Sequence, residues 1–137
     1  MSPEALAALH RLCFTDAPPP WTAKDFEELL GQPGVILLTH PNGFILLRSA
    51  ADEAEVLTLA VDPTHRRKGI AQALLDQSFE HLAGHGITEV FLEVAVDNAP
   101  AQSLYTKCGF KEVARRPRFY RSGADAIVMR VTVTEVS

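Results

Sequence analysis

The sequence predicts one α/β domain, spanning residues 1–137, in which helices cover both faces of a mixed, mostly antiparallel sheet. Three short apolar runs over 35–61 are joined by turns, one of them through Asn42-Gly43, and this pattern is typical of an antiparallel meander. A strand over 54–61, a helix over 70–83 and a strand over 88–96 then follow one another. That order predicts one parallel strand pair joined by a right-handed helical crossover.

Each element carries local signals. Pro3 suits the first turn of a helix over 3–13, and three prolines then stiffen the loop before Trp21. Thr22, with Asp25 three residues later, resembles a capping box that opens a second helix. Strands are predicted over 35–39, 44–48 and 54–61.

The second half of the chain is read in the same way. Helix 70–83 has apolar residues at helical spacing and ends at glycines. The strand over 88–96 is almost continuously apolar, which predicts burial on both faces. Residues 97–100 cap a helix over 101–107, and strands over 110–113 and 124–133 flank a basic loop over 115–121.

Composition and charge exclude several classes of protein. The chain is 47% apolar and 22% charged, which excludes disorder and coiled coil. Its net charge of −4 does not favour nucleic acid, and the basic residues cluster locally, which favours a small anionic ligand. No apolar run is long enough to span a membrane, no signal peptide is evident, and neither the two cysteines nor the five histidines show metal-ligand spacing. We therefore expect a reduced, cytoplasmic protein without a metal.

Residues 56–71 predict an anion-binding turn. The apolar strand ends at Asp62-Pro63, a basic triplet follows over 66–68, and Gly69 leads directly into a helix. The N–H groups of such a turn point at one place, and the helix dipole adds to them. The turn fits neither a P-loop nor a dinucleotide-binding glycine motif. The alternative is a solvated basic turn.

Glu93, within the apolar strand over 88–96, is a candidate general base. Burying a charged carboxylate within an apolar strand costs several kcal/mol of desolvation free energy, so such a residue usually has an ion-pair partner or a functional role. An edge position or a structural ion pair is the alternative. Tyr105, on the helix that follows, is either core or a proton donor to a leaving thiolate. Asn98 is read as a cap residue, and Cys108 as a small core residue.

Two motifs together resemble the GNAT acetyltransferases over nearly the whole chain. Residues 59–71, with Arg66-x-x-Gly69-x-Ala71, resemble the acetyl-CoA signature. Residues 97–110, with Asn98, Leu104-Tyr105 and Gly109-Phe110, resemble the second conserved block. The resemblance implies the GNAT (acyl-CoA N-acyltransferase) fold.

Within that superfamily the chain is most similar to the Rim-type ribosomal-protein-alanine N-acetyltransferases. The residues that carry this are Pro20-Trp21-Thr22, Leu92-Glu93-Val94, Tyr120 in its basic loop, and 125–129. Some members have Arg where this chain has Ala95, or Ser where it has Asp97. Because of these departures, the resemblance does not identify the acceptor.

The resemblance implies acetyl-CoA as co-substrate and a role for each site residue. Glu93 would be general base and Tyr105 general acid, with Trp21 and Tyr120 lining the acceptor groove. A backbone N–H where strand 54–61 parts from strand 88–96 would stabilise the oxyanion. The implied acetyl-CoA-binding residues are Leu59, Ala60, Val61, Arg66, Arg67, Lys68, Gly69, Ile70, Ala71, Gln72 and Asn98.

The implied reaction is acetyl transfer to a protein N-terminal α-amine, possibly that of a ribosomal protein with N-terminal Ala, by a monomer or weak dimer. Two alternatives stay open at this point. One is a GNAT enzyme that acetylates a small-molecule amine. The other is a non-catalytic acetyl-CoA-binding module, against which Glu93 and Tyr105 argue.

Overall fold

The computed structural model describes residues 1–14, 20–119 and 123–133. In these ranges six strands form one sheet in the order β1-β2-β3-β4-β6-β5. The elements are α1 Pro3–Cys13, α2 Ala23–Leu30, β1 Val35–His40, β2 Gly43–Ala50, β3 Glu53–Val61, a 3₁₀ turn Pro63–His65, α3 Ile70–Ala83, β4 Glu89–Ala95, α4 Ala99–Lys107, β5 Lys111–Arg116 and β6 Ala126–Thr132. Within the same ranges no helix combines the length and the apolar character needed to cross a membrane.

The predicted antiparallel meander of β1, β2 and β3 is confirmed. Its first turn needs glycine, because a Cβ on Gly43 would lie 2.8 Å from the carbonyl oxygen of Ala60. The Asp62 N–H donates to the Asn42 carbonyl oxygen at 2.8 Å. The hairpin therefore fixes the point at which the chain leaves β3 for the basic turn.

Two apolar cores lie on opposite faces of the sheet, which confirms the predicted helices on both faces. Phe44 and Leu46 of β2 pack into the core that contains α1 and α2. Ile45 and Leu47 pack into the core that contains α3. Because successive side chains of a strand point to opposite faces, the first five residues of β2, from 43 to 47, are buried between the two cores.

The predicted parallel pair is also present, but it is short. β3 and β4 pair only from Glu53–Glu55 to Glu89–Phe91. Leu46 and Leu47 of β2 pair with Thr58 and Val56, so Leu57 is the extra residue of a β-bulge. A bulge bends its strand and increases its twist. This bulge begins where pairing with β4 ends, and β3 diverges from β4 from there to Val61.

The prediction that β4 is buried on both faces is wrong. Val90, Leu92 and Val94 face the α3 core and are at most 4% exposed, whereas Phe91 and Glu93 are only partly buried. The reason is that α1 and α2 pack on β3 and β1, so they do not cover this side of β4. We call the side of β4, β6 and β5 opposite the α3 core the open face.

Three predicted boundaries shift for local reasons. α4 begins at Ala99, because Asn98 is its N-cap and Pro100 fits the first turn. β5 extends to Arg116 because antiparallel pairing with β6 continues past a bulge near Val113. β6 begins at Ala126 rather than at residue 124.

Candidate active site

The basic turn between β3 and α3 has the backbone of an anion site. Asp62 caps the 3₁₀ turn by accepting hydrogen bonds from the Thr64 N–H at 2.9 Å and the Thr64 hydroxyl at 2.8 Å. These bonds, the N–H first, hold the pKa of Asp62 below its usual range. Arg67 and Gly69 both have left-handed backbones, with φ of 65° and 75°. Alternating handedness of this kind turns successive N–H groups toward one concavity.

The N-terminus of α3 completes this turn. Gly69 is the N-cap and no side chain caps the helix. The first N–H groups of a helix lack intrahelical partners, so they can bind an anion together with the helix dipole. The side chains of residues 66–68 are exposed around them, whereas Ile70 is 7% exposed and anchors the helix in the core. The residues predicted for the cradle are thus brought together in one turn.

The end of β3 offers a backbone edge toward the gap beside β4. Leu59, Ala60 and Val61 pair with β2 on one side. On the other side, pairing with β4 ended at Glu55. The Cys13 thiol, at the end of α1, donates to the Val61 carbonyl oxygen at 3.2 Å. Burial raises the pKa of this thiol, although the nearby Arg66 opposes that effect.

Glu93 lies on the open face and forms an ion pair with Arg116. Its Oε1 is 3.2 Å from the Arg116 Nη1, and its side chain is 29% exposed. The expectation of a carboxylate buried within an apolar strand is therefore wrong, because the pleat of β4 turns Glu93 away from the core. The structural ion pair weighed as the alternative is present, and the carboxylate remains accessible to a substrate.

Tyr105 lies on the other side of β4 from Glu93. Its ring is partly buried against the α3 core and meets Phe110 edge to face, with ring centroids 5.8 Å apart. Cys108, also predicted as core, packs at the border of the same cluster, and burial raises its pKa. Tyr105 therefore lies on the α3 side of the sheet, whereas Glu93 lies on the open face.

Asn98 caps α4, as its cap interpretation predicted. Its Oδ1 accepts a hydrogen bond from the Ala101 N–H at 3.3 Å. Gln102, which the sequence did not single out, donates from Nε2 to the carbonyl oxygens of Ala95 at 3.0 Å and Val96 at 2.8 Å. Because these carbonyls belong to the last residue of β4 and the residue after it, Gln102 fixes the start of α4 against the strand that carries Glu93.

Trp21 lies in an aromatic cluster between α1 and α2. Its ring stacks on His10 with centroids 5.0 Å apart, and the backbone N–H of Trp21 donates to the His10 Nδ1 at 3.1 Å. Burial lowers the pKa of His10 to about 4. A groove of about 450 Å³ adjoins the ring and is lined by Glu4, Ala7, Arg11, Pro20, Trp21, Thr22 and Ala23. Tyr120, the other predicted acceptor residue, lies outside the described residues.

His10 was missed although the sequence holds a signal for it. It lies four residues after Leu6 on the apolar face of α1, and both side chains are buried. Two further histidines, His81 in the last turn of α3 and His85 just after the helix, stack with ring centroids 4.5 Å apart. Over residues 1–14, 20–119 and 123–133, no three His, Cys, Asp or Glu side chains are grouped as metal ligands.

Comparison with known proteins places this geometry in a family. The model of the acetyltransferase (GNAT) family matches residues 3–110. The chain is 32% identical over 122 residues to the ribosomal protein bS18-alanine N-acetyltransferase of Escherichia coli K12, covering 84% of this chain and 82% of the relative. It is 37% identical over 121 residues to the N-alpha-acetyltransferase RimI of Mycobacterium tuberculosis, covering 81% and 75%.

Solved structures agree with the sequence comparison. The crystal structure of the ribosomal-protein-S18-alanine N-acetyltransferase from Escherichia coli superposes with a TM-score of 0.85 at 28% identity, over 98% of this chain and 90% of that one. The first motif of the resemblance lies at the turn between β3 and α3, and the second spans α4. The chain therefore belongs to the acetyltransferase (GNAT) family.

Proposed function

We propose that this protein transfers the acetyl group of acetyl-CoA to the N-terminal α-amine of a protein. One observation carries the proposal: β4 is no longer paired with β3 beyond Phe91, so the gap that opens there has Glu93 on its β4 side and the anion cradle at the end of β3. The names of the two relatives, which are N-terminal acetyltransferases, support the choice of an α-amine as acceptor.

The residues around the gap fit acetyl-CoA. The uncapped N-terminus of α3 suits a pyrophosphate, held by the N–H groups of residues 67–72 and by the side chains of Arg66, Arg67 and Lys68. The backbone of residues 59–61 suits the amide groups of a pantetheine arm, because no strand pairs with that edge among the described residues. Asn98, at the start of α4, is a further contact to test.

In the proposed mechanism Glu93 and Tyr105 move the two protons. Acetyl-CoA supplies an acetyl group activated as a thioester. Glu93, directly or through a water, takes a proton from the α-ammonium, whose pKa near 8 makes this inexpensive. The amine nitrogen bonds to the carbonyl carbon, the carbon–sulfur bond breaks, and Tyr105 protonates the leaving thiolate. A backbone N–H of β3 beyond the bulge would stabilise the oxyanion.

The open face is the proposed entrance for the acceptor. Glu93 is reached from this side, whereas the α3 core blocks the other side of β4. Trp21, whose ring borders the groove between α1 and α2, and Tyr120 are proposed to line the path of the peptide. A ribosomal protein with N-terminal Ala is the first acceptor to test, and such an acceptor would place the reaction in the cytoplasm.

A peptide panel tests this function. Peptides that begin with Ala, Ser, Thr or Met are incubated with acetyl-CoA, and release of CoA is followed, with N-formylated copies as matched controls. We expect turnover on free N-termini, fastest with Ala, and none on formylated copies. Turnover restricted to small amines such as polyamines or amino acids would contradict an N-terminal acceptor. Tight acetyl-CoA binding without CoA release on any amine would contradict catalysis.

The oligomeric state stays a prediction. A monomer or weak dimer is expected to sediment near the 15.0 kDa mass of one chain at low concentration.

A further inference from the structure

Arg116 reaches Glu93 across an intervening strand. β6 lies between β4 and β5 in the sheet. Arg116 pairs with Ala126, and Ala126 pairs with Ala95. The side chains in register with Arg116 across the sheet are therefore two methyl groups, which leave room for the arginine stem to cross β6. Glu93 pairs with Val128, so the stem runs diagonally to reach its carboxylate.

The guanidinium has a second contact. Its Cζ lies 5.4 Å from the centroid of the Phe119 ring, within the range of a cation–π interaction. Its Nη1 is 3.2 Å from the Glu93 Oε1. The Arg116 side chain is 58% exposed, so these two contacts are what restrict the direction of its guanidinium.

We propose that Arg116 is a positioning residue for Glu93, and this inference rests on the role given to Glu93 under the proposed function. A glutamate side chain that is 29% exposed can adopt several rotamers. The ion pair selects one in which Oε1 is held by Arg116 and the other oxygen is left to face the acceptor. Arg116 thus acts through Glu93 and does not itself exchange a proton with the substrate.

The neighbouring residue supplies a matched control. Arg115 also forms an ion pair with a glutamate, since its Nε is 3.0 Å from the Glu112 Oε2. Its strand partner Ile127 faces the α3 core, so this pair belongs to the face opposite to Glu93. Arg130 pairs with Glu89 on the open face at 3.6 Å. Arg115→Gln therefore tests loss of charge and of an ion pair on the same strand, and Arg130→Gln tests loss of charge on the same face.

The test is a double-mutant cycle measured on an accepted peptide. Arg116→Gln is expected to lower kcat by about threefold to fivefold, the range for a partly exposed ion pair, while KM for peptide and Kd for acetyl-CoA change less than about twofold. Arg116→Lys should regain at least half of the loss, because Lys keeps the charge. In a Glu93→Gln background the Arg116→Gln effect should disappear, since its target is gone.

Each result bears on one claim. Unchanged kcat in Arg116→Gln, an equal loss in Arg115→Gln or Arg130→Gln, or the same fold loss with and without Glu93 would overturn the positioning role. Those results leave the proposed function standing if Glu93→Gln itself is impaired. Wild-type turnover in Glu93→Gln would instead remove the base assignment and the positioning role together.

Discussion

His10 makes the stability of this protein sensitive to acid. The residue is 4% exposed, stacks on the Trp21 ring and accepts a hydrogen bond from the backbone N–H of Trp21 at its Nδ1. A protonated imidazole has no acceptor nitrogen, so protonation removes this hydrogen bond and places a charge among aromatic rings. Burial accordingly lowers the pKa of His10 from 6.5 to about 4.

The sign and size of the effect follow from linkage. Between pH 6.5 and 4 the unfolded chain binds a proton at His10 that the folded chain does not bind. Stability from this site is therefore fully present above pH 6.5 and is lost as the pH falls toward 4. Each unit of difference between the folded and unfolded pKa corresponds to about 1.4 kcal/mol, so the loss of stability reaches about 3 kcal/mol. This is a large part of a typical folding free energy.

Urea unfolding from pH 7.5 to 4.5 measures this effect. The wild type is compared with His10→Asn, whose side-chain oxygen can still accept the Trp21 N–H but does not titrate. We expect the variant to be less stable at pH 7.5, because stacking is lost, and to lose about 2 to 3 kcal/mol less than the wild type on acidification. His85→Asn, at an exposed histidine, serves as control. If the free energy of unfolding fell equally with pH in the wild type and in His10→Asn, His10 would not be the source of the acid sensitivity.

Three further predictions follow from the site and the meander. Glu93→Gln and Tyr105→Phe should each lower kcat about 10²-fold without changing the Kd for acetyl-CoA. Glu89→Gln, on the same face of β4 as Glu93, should leave kcat unchanged. Wild-type turnover in both Glu93→Gln and Tyr105→Phe would contradict their catalytic roles. Gly69→Ala should lower the free energy of unfolding by about 1 to 2 kcal/mol, because φ is 75° at this residue. Calorimetry should show that the same variant binds acetyl-CoA about tenfold more weakly. Gly86→Ala, at φ 76°, should cost similar stability without loss of affinity, and equal affinity losses would count against the cradle. Gly43→Ala should lower stability by about 1 to 3 kcal/mol, because its Cβ would meet the Ala60 carbonyl oxygen at 2.8 Å; an unchanged Tm would contradict this.

The elements that the sequence predicted well are those fixed by local chemistry. α3 has the predicted bounds because its apolar period is uninterrupted between Gly69 and Gly84. The capping box is formed, with the Thr22 hydroxyl and the Asp25 carboxylate each accepting a backbone N–H. Such signals depend on residues a few positions apart, so they can be read without knowing the tertiary structure.

The features that the sequence did not reveal depend on which strands are neighbours. β4 was expected to be buried on both faces, but nothing in its apolar run says that α1 and α2 stop short of it. The bulge at Leu57 has no local signature, yet it coincides with the separation of β3 from β4. The Arg116–Glu93 pair requires the strand order β4-β6-β5, which chain order does not give.

The site of acetylation on a single peptide shows whether the protein acts on an N-terminal α-amine. A peptide that begins with Ala and contains one internal Lys is incubated with the protein and acetyl-CoA, and tandem mass spectrometry locates the added acetyl group. We expect acetylation of the α-amine, no modification of the Lys side chain, and much less product with Glu93→Gln. Acetyl transfer to the lysine alone, or no transfer to peptides that begin with Ala, Ser, Thr or Met, would contradict this expectation.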